Sequence, residues 1–311
     1  MTPAKGFSTA LTAGDLVIQG IPLTQLVQPF AKNYQAAQVI DNVSSAVIDI
    51  IVQRTMDGAS NVTVQLADPD RQILNSGIFS FSDVLTLDGM NFCLVQWQKE
   101  GDQLQIVFEA AVVYDLRKQT GAIASTTSTD LSGFIAQLVR AVPEATLVCE
   151  QTPLIKPIAL SRGGLTYPNE DSWSCMNRLA TSGGWRCFES EGIIYVGSDS
   201  FLEGLNNTGT LYVPPSSPTV LSEFNTMVQD MDVDYDIGKP FGQCVVTAMM
   251  DLWPYQPGNL VSIANMGPAS DVKWLVYSME RDFFEPQASI ILQAPMTAAQ
   301  VAAGTPTLAN I

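Results

Sequence analysis

Residues 171–198 read DSWSCMNRLATSGGWRCFESEGIIYVGS, and this stretch decides the fold. Trp173, Met176 and Leu179 recur at helical spacing behind Asp171, a residue type that caps helix N-termini, and a Gly-Gly pair then ends the helix. Two apolar runs follow on either side of a Glu-Ser-Glu-Gly turn. The stretch therefore predicts one helix followed by a β-hairpin.

A further helix is predicted upstream of this stretch, over Leu131–Val139. Its apolar residues recur at intervals of three and four, Asp130 stands at the N-cap position, and Pro143 follows its end. Together, the two helices and the hairpin predict an α/β module over residues 119–207.

Strands are predicted before this module, over residues 39–118. Val62 and Val64 alternate with polar residues, which is typical of a strand with one buried face. Phe92–Trp97 and Leu104–Tyr114 are predicted to pair as a hairpin, because a Lys-Glu-Gly-Asp turn lies between them. Many short strands with close turns favour a small antiparallel barrel or sandwich here.

A second set of strands is predicted after the module, over residues 208–296. Its apolar runs are Leu211–Val213, Val245–Met250, Leu260–Ile263, Trp274–Tyr277 and Ala288–Leu292. The order β, α/β, β predicts a mainly β fold with an α+β insertion, most simply one β layer that the module interrupts. Residues 1–38 are predicted to be an N-terminal arm with short elements, and residues 297–311 a flexible C-terminal tail.

Charge restricts the possible partners. The chain carries 15 Lys and Arg against 31 Asp and Glu, a net charge of −16, and would repel the phosphates of a nucleic acid. Only 15% of its residues are charged and 46% are hydrophobic, which predicts surface that is buried against protein partners. No basic n-region with an apolar run and no stretch long enough for a membrane span is present, so we expect cytoplasmic synthesis and no membrane insertion.

The residue types that are missing exclude several chemistries. The chain has no His, which excludes Ser-His-Asp triads, Cys-His dyads and His-ligated metals. Its five Cys residues are scattered without a CxxC pair, so we expect reduced and mostly buried thiols. The prediction is a protein with no catalytic, cofactor-binding or metal-binding residues, whose stability depends on neither metal nor oxidation.

Four acidic residues alternate at Asp230, Asp232, Asp234 and Asp236. An EF-hand loop needs Gly at its sixth position and Glu at its twelfth, and neither register of this segment supplies them. A period of two is that of a strand, which would place all four acids on one face toward water. An irregular calcium site is the alternative interpretation.

Two further groups of residues are candidate sites. Five acids could form a catalytic pair, namely Glu144, Glu150, Glu170, Glu189 and Glu191. They lie in predicted turns or helix starts, where acids are ordinarily solvated. Trp253 and Tyr255 lie in a predicted loop and are candidates for an exposed interface, with a place in the core as the alternative.

The ordered motifs resemble tail proteins of long-tailed bacteriophages. Asp171–Ala180, Gly184–Phe188 and Glu191–Val196 match a helix with Trp, Met and Arg-Leu-Ala that runs into a Gly-Trp-Arg hairpin. Further matches are the Ala67–Asp70 turn, the apparent strand end Val113–Arg117, and the segments Ile237–Pro240, Pro257–Val261, Lys273–Tyr277 and Ile290–Pro295. The likeness covers residues 40–296 and is to the baseplate or tail-tip hub, similar to the central hub of contractile-tailed phages and often called a minor tail protein.

This resemblance implies a structural virion protein at the tail tip. It implies two small β-barrel domains, at residues 39–118 and 208–296, that flank the inserted module. Three copies would form a pseudo-sixfold ring that adapts the hexameric tail tube to the tip. Implied partners are the distal tail or tail tube protein, the tape measure protein and other tail-tip or receptor-binding proteins.

A conduit for viral DNA must let the duplex pass without binding it, and an acidic lumen would achieve this by repulsion. The strand Asp230–Asp236 is the candidate lining. The alternative hypothesis is a β-sandwich carbohydrate-binding or adhesion module of the tail tip, with Trp253 and Tyr255 as stacking platforms. An enzyme that hydrolyses cell-wall glycan is the third hypothesis.

Overall fold

The structure is a computed structural model that describes residues 17–18, 21–22, 46–75, 77, 79–87, 90–120, 130–151, 170–205, 207–212, 228–234, 243–248, 256–264, 273–282 and 288–293. The predicted C-terminal tail and most of the predicted N-terminal arm lie outside these residues.

The described chain is mainly β, as the sequence predicts. Its strands are β1 (Val17–Ile18), β2 (Ile21–Pro22), β3 (Val47–Thr55), β4 (Asn61–Ala67), β5 (Val84–Leu87), β6 (Met90–Glu100), β7 (Gln103–Ala110), β8 (Thr146–Cys149), β9 (Arg186–Ser190), β10 (Ile193–Gly197), β11 (Asn207–Tyr212), β12 (Val228–Asp234), β13 (Gln243–Ala248), β14 (Leu260–Ala264), β15 (Lys273–Asp282) and β16 (Ala288–Gln293). Its helices are α1 (Gln72–Asn75), α2 (Ala111–Lys118), α3 (Leu131–Val139), α4 (Ser172–Ser182) and α5 (Asp199–Glu203).

One large sheet contains both predicted strand sets. Within the described ranges, thirteen strands belong to it, in the order β12-β13-β16-β15-β3-β4-β7-β6-β5-β1-β2, with β14 and β11 as a side branch. β15 makes the connection, because Lys273–Leu275 pairs with β14 and Ser278–Asp282 pairs with Ile51–Thr55 of β3. This arrangement is the single β layer that the strand order predicts.

Alternation within the strands of this sheet separates a buried face from an exposed one. Val62, Val64 and Leu66 of β4 are buried, while the residues between them are half-buried. The pairings that are described form an open path and close no barrel. The closure of two barrels therefore stays a prediction.

The predicted strand Leu104–Tyr114 is wrong in its second half. β7 ends at Ala110 and α2 begins at Ala111, so the apparent strand end Val113–Arg117 is helical. Val112, Val113 and Leu116 are buried at helical spacing, on the face that packs toward α4. The preference of Val and Tyr for strands is weak, and packing against a neighbouring helix overrides it.

The inserted module forms around a three-stranded sheet, β8-β10-β9, in which β8 is parallel to β10 and β9 antiparallel. The predicted helices are confirmed with their caps: Asp130 accepts a hydrogen bond from Gly133 N at 2.6 Å, and Asp171 accepts one from Ser174 N at 2.8 Å. β8 and α5 are not predicted from the sequence, because each is too short for a periodic pattern.

Candidate functional site

The predicted acidic strand is present as β12. Its register on β13 pairs Asp230 with Thr247, Asp232 with Val245 and Asp234 with Gln243. Because alternate positions of a strand share one face, these three acidic positions lie on one face of the large sheet. Asp236 lies outside the described residues, as do Trp253 and Tyr255, and their predicted roles stay predictions.

The next strands identify which face of the sheet this is. Thr247 pairs with Ser289 of β16, and Ser289 pairs with Glu280 of β15. Glu280 is exposed and accepts a hydrogen bond at 2.6 Å from Gln53, which is also exposed. The intervening positions of β16, Ile290 and Leu292, are fully buried. By register, the position of Asp230 is therefore in line with exposed Glu280, whereas the position of Asp234 is in line, through Gln243, with Gln293, which is buried.

A buried charged network joins the sheet to the inserted module. Arg54 of β3 is fully buried, and its guanidinium donates to Gln256 Oε1 and, at 3.4 Å, to Met90 Sδ. Glu191, in the β9–β10 turn, places Oε1 3.6 Å from Arg54 Nη1 and 2.9 Å from Gln256 Nε2. Ser190 Oγ also donates to Gln256 Oε1, at 2.7 Å. All three parts of the chain meet at this network.

Glu189 lies beside this network and corrects a prediction. It was expected to be solvated, but it is a strand residue of β9 with 1% of its surface exposed. Its carboxylate accepts hydrogen bonds from Ser60 N at 3.0 Å and from Gly192 N at 2.7 Å. Burial raises the pKa of Glu189, while these hydrogen bonds and the charge of Arg54 act in the opposite direction.

A second charged cluster lies at the other end of β9. The guanidinium of Arg186, 8% exposed, donates to Asp199 Oδ1 at 2.6 Å and to Asp57 Oδ1 at 3.2 Å. Its Cζ lies 5.6 Å from the ring centroid of Tyr277, whose hydroxyl donates to Asp57. Burial and the Asp57 carboxylate raise the pKa of Tyr277 to about 12. This cluster again ties the module, β3 and β15 together.

Neither charged cluster is predicted from the sequence, although the sequence of β3 contains an indication of the Arg54 cluster. Arg54 follows Ile50 and Val52 in the inward phase of β3, and an Arg in that phase needs buried partners. The partners come from segments about 135 and 200 positions away in sequence, so no local pattern could identify them.

The described cysteines are mostly buried, as predicted. Cys93, Cys175 and Cys187 are buried, Cys149 is half-buried, and all four are free. Burial raises the pKa of the Cys93 and Cys149 thiols to about 11 and that of Cys175 to about 12. Thiols with such pKa values are poor nucleophiles at neutral pH.

Neither metal ligation nor membrane crossing is indicated in the part of the chain that the structure describes. No group of three or more Cys, Asp or Glu side chains there is arranged to hold a metal ion. No helix in those ranges has the length and apolarity needed to traverse a bilayer.

Solved structures share this fold. No family model matches the chain, and no curated protein matches it. The tail protein from Neisseria meningitidis MC58 superposes with a TM-score of 0.50 at 12% identity, over 80% of this chain and 92% of that one.

This chain has the fold of that tail protein. Two prophage tail proteins are also similar. The 43 kDa tail protein of prophage MuSo2 from Shewanella oneidensis gives a TM-score of 0.49 at 10% identity, over 80% of this chain and 94% of that one. Tail protein gp18 from Listeria monocytogenes EGD-e gives 0.48 at 9% identity, over 82% and 92%. The likeness is one of fold, so the roles of individual residues depend on this chain's own geometry.

Proposed function

We propose that this protein is a structural component of a phage tail and that it forms, as a homotrimer, the central hub of the tail tip. The tail-protein fold, which extends over 80% of the chain, is the observation that carries the proposal. In this role the hub adapts the hexameric tail tube to the tip and is located in the virion. It is a scaffold and not an enzyme.

The division of the chain into two strand sets supports a trimer. Residues 46–110 and 207–293 each contribute strands to the large sheet, on either side of the β15–β3 pairing. If each set closes into a small barrel, three chains supply six wall segments, which matches a sixfold tube. Ring closure requires that each subunit contact the next by the same heterologous interface.

The acidic face supports the role of a DNA conduit. Asp230, Asp232 and Asp234 occupy alternate positions of β12, and the position of Asp230 is in line with exposed Glu280. We place this face, together with Asp236, toward the ring axis, where carboxylates repel passing phosphates. The acids must lie close to the DNA, because screening limits repulsion to about 8 Å at physiological salt.

The proposed partners are those of a tail-tip hub. They are the distal tail or tail tube protein on one side, the tape measure protein, and other tail-tip or receptor-binding proteins. Viral DNA passes through the ring without binding. Trp253 and Tyr255 are proposed to belong to a protein interface.

The oligomeric state tests the hub. We expect light scattering on the purified chain, alone or with its tail tube partner, to give a subunit stoichiometry of three, and electron micrographs to show an open ring. A twofold dimer in the virion would contradict the proposal.

The direction of the acidic face can be tested with DNA of two topologies. In the assembled ring, the triple variant that combines Asp230→Lys, Asp232→Lys and Asp234→Lys should retain linear duplex DNA but not covalently closed circular DNA. Only a DNA molecule with a free end can enter the lumen. The matched control changes three exposed acids elsewhere: Asp70→Lys, Glu100→Lys and Asp102→Lys.

Lysines on an outer surface bind both DNA topologies alike, so the control should not distinguish them. Equal retention of linear and closed circular DNA by the β12 variant would contradict the lumen assignment. The proposal of a hub would then be tested by the subunit stoichiometry alone.

A further inference from the structure

A groove of about 600 Å³ opens where the β5–β6 hairpin, helix α2 and the β9–β10 turn meet. Its lining includes the buried apolar residues Phe92, Ala110 and Val112. Its volume lies within the range of roughly 300–1,000 Å³ that is typical of ligand pockets. The groove therefore has room for a few residues of an extended chain.

The charge around this groove is negative. Asp115, Glu144, Glu189 and Glu191 line it, and Lys118 is the single basic residue among its described lining. Lys118 lies 3.3 Å from Asp115 and so neutralises that acid, while Arg54 behind the wall faces Glu191. Of the other acids, Glu144 is exposed and Glu191 has 46% of its side chain exposed, whereas Glu189 is buried and its carboxylate accepts hydrogen bonds from Ser60 N and Gly192 N.

An exposed aromatic residue adjoins the groove lining in sequence. Phe81 has 60% of its surface exposed and directly precedes Ser82, which lines the groove. Exposed large apolar side chains are typical of surfaces that bind another protein. The groove therefore combines apolar lining residues with negative charge, and an exposed aromatic residue is next to its lining in sequence.

We propose that this groove docks a short extended segment of another protein, in which Lys or Arg alternates with aliphatic residues. Its aliphatic side chains would lie against Phe92 and Val112, and its cations would face the exposed Glu144 and the half-exposed Glu191. A second copy of this chain is a poor occupant, because it carries a net charge of −16 and only 15 basic residues. This inference goes beyond the proposed hub and does not depend on the trimer.

The test uses the full-length protein and two fluorescent five-residue peptides. The basic probe has the sequence Leu-Arg-Val-Lys-Leu and the acidic probe Leu-Glu-Val-Asp-Leu, both with blocked ends. By fluorescence anisotropy we expect the basic probe to bind at least roughly tenfold more tightly, because the charges across the groove are complementary only for that peptide.

Two variants locate the binding. Glu144→Lys should weaken binding of the basic probe roughly tenfold, whereas the matched control Glu100→Lys, at the far end of β6, should change it less than about twofold. Ala111→Trp should fill the groove and abolish binding, with its melting temperature showing that it still folds. Its failure to fold would leave the Glu144 and Glu100 pair as the test.

Three results would overturn the proposal. The first is equal affinity for the two probes. The second is an equal loss of affinity for the basic probe in Glu144→Lys and Glu100→Lys. The third is self-association of the protein, if the basic probe reverses that self-association. The last would identify a second copy as the occupant. A protein that binds the probe but forms no trimer would separate this inference from the hub.

Discussion

At the scale of single residues, the molecule depends on charges that it buries. Arg54 and Glu189 are almost completely removed from solvent, and each has several hydrogen-bonding partners in other segments. A buried polar or charged group is tolerated only when partners replace its hydration, so loss of a partner leaves it uncompensated. Both residues therefore depend on the contacts between the module and the sheet.

Replacing Arg54 by Met should destabilise the protein by about 2–3 kcal/mol, the cost of leaving the partners of a buried donor without it. Met keeps most of the volume but leaves Gln256 and Glu191 without the guanidinium. Arg117→Met is the matched control, because Arg117 pairs with Glu109 while 44% exposed, and such pairs contribute about 1 kcal/mol or less. Urea unfolding measures both, and equal losses would contradict the role given to Arg54.

Glu189 should give the stability a specific pH dependence. Because burial raises its pKa in the folded state, the folded protein binds this proton more tightly than the unfolded chain. Its contribution to stability is therefore complete below about pH 4.3, the ordinary pKa of Glu, and is lost as the pH rises through the folded pKa. In Glu189→Gln this contribution disappears.

The difference in unfolding free energy between wild type and Glu189→Gln measures this effect directly. We expect the advantage of the wild type to shrink with rising pH between about pH 4 and pH 8. The subtraction removes the other titrating groups, which both proteins share. A difference that stays constant, or grows with pH, would show that Glu189 is not a buried acid.

At the scale of elements, the loop before β14 shows how a turn is fixed by what it packs against. Gly258 has a φ of +85°, and a Cβ at this position would lie 2.8 Å from Phe188 Cζ in β9. Its N donates to Val276 O at 2.9 Å. The left-handed conformation and the close approach both require glycine here, so a single residue couples the β14 loop to the module.

Gly258→Ala should therefore cost clearly more than Gly101→Ala. Gly101, in the β6–β7 turn, also has a positive φ (+54°), but a Cβ there meets no atom within 4 Å. We expect about 1 kcal/mol for Gly101→Ala, from the backbone conformation alone, and about 2–3 kcal/mol for Gly258→Ala, where overpacking against Phe188 adds to it. Thermal unfolding of both variants measures the loss of stability in each. Equal losses would contradict the role given to packing against Phe188.

At the scale of the whole molecule, the two strand sets share one sheet. β15 pairs with β14 along its first half and with β3 along its second, although β3 lies more than 200 positions earlier. The charged clusters around Arg54 and Arg186 add the inserted module to the same structure. The three parts of the chain are therefore expected to be stable only together.

This predicts one cooperative unfolding transition for the full chain. We expect the calorimetric enthalpy to equal the van't Hoff enthalpy, and Ser278→Pro to lower the single melting temperature, because Ser278 pairs with both Thr55 and Ile291. Two independent barrels would instead give two transitions, only one of which would respond to Ser278→Pro.

The sequence by itself determined the local elements. Asp130 and Asp171 cap helices, Val62 and Val64 alternate in a strand, and the lack of His excludes whole classes of catalytic site, since each of these depends on neighbouring residues or on composition alone. The acidic strand β12 was predictable for the same reason.

The tertiary structure alone decided what depends on distant partners. Ala111 begins a helix because α2 packs toward α4, Glu189 is buried because Ser60 and Arg54 receive it, and β15 joins β3 across most of the chain. Local propensities differ by only about 1 kcal/mol, and burial outweighs them once such contacts form. No pattern within a few residues of these positions carries that information.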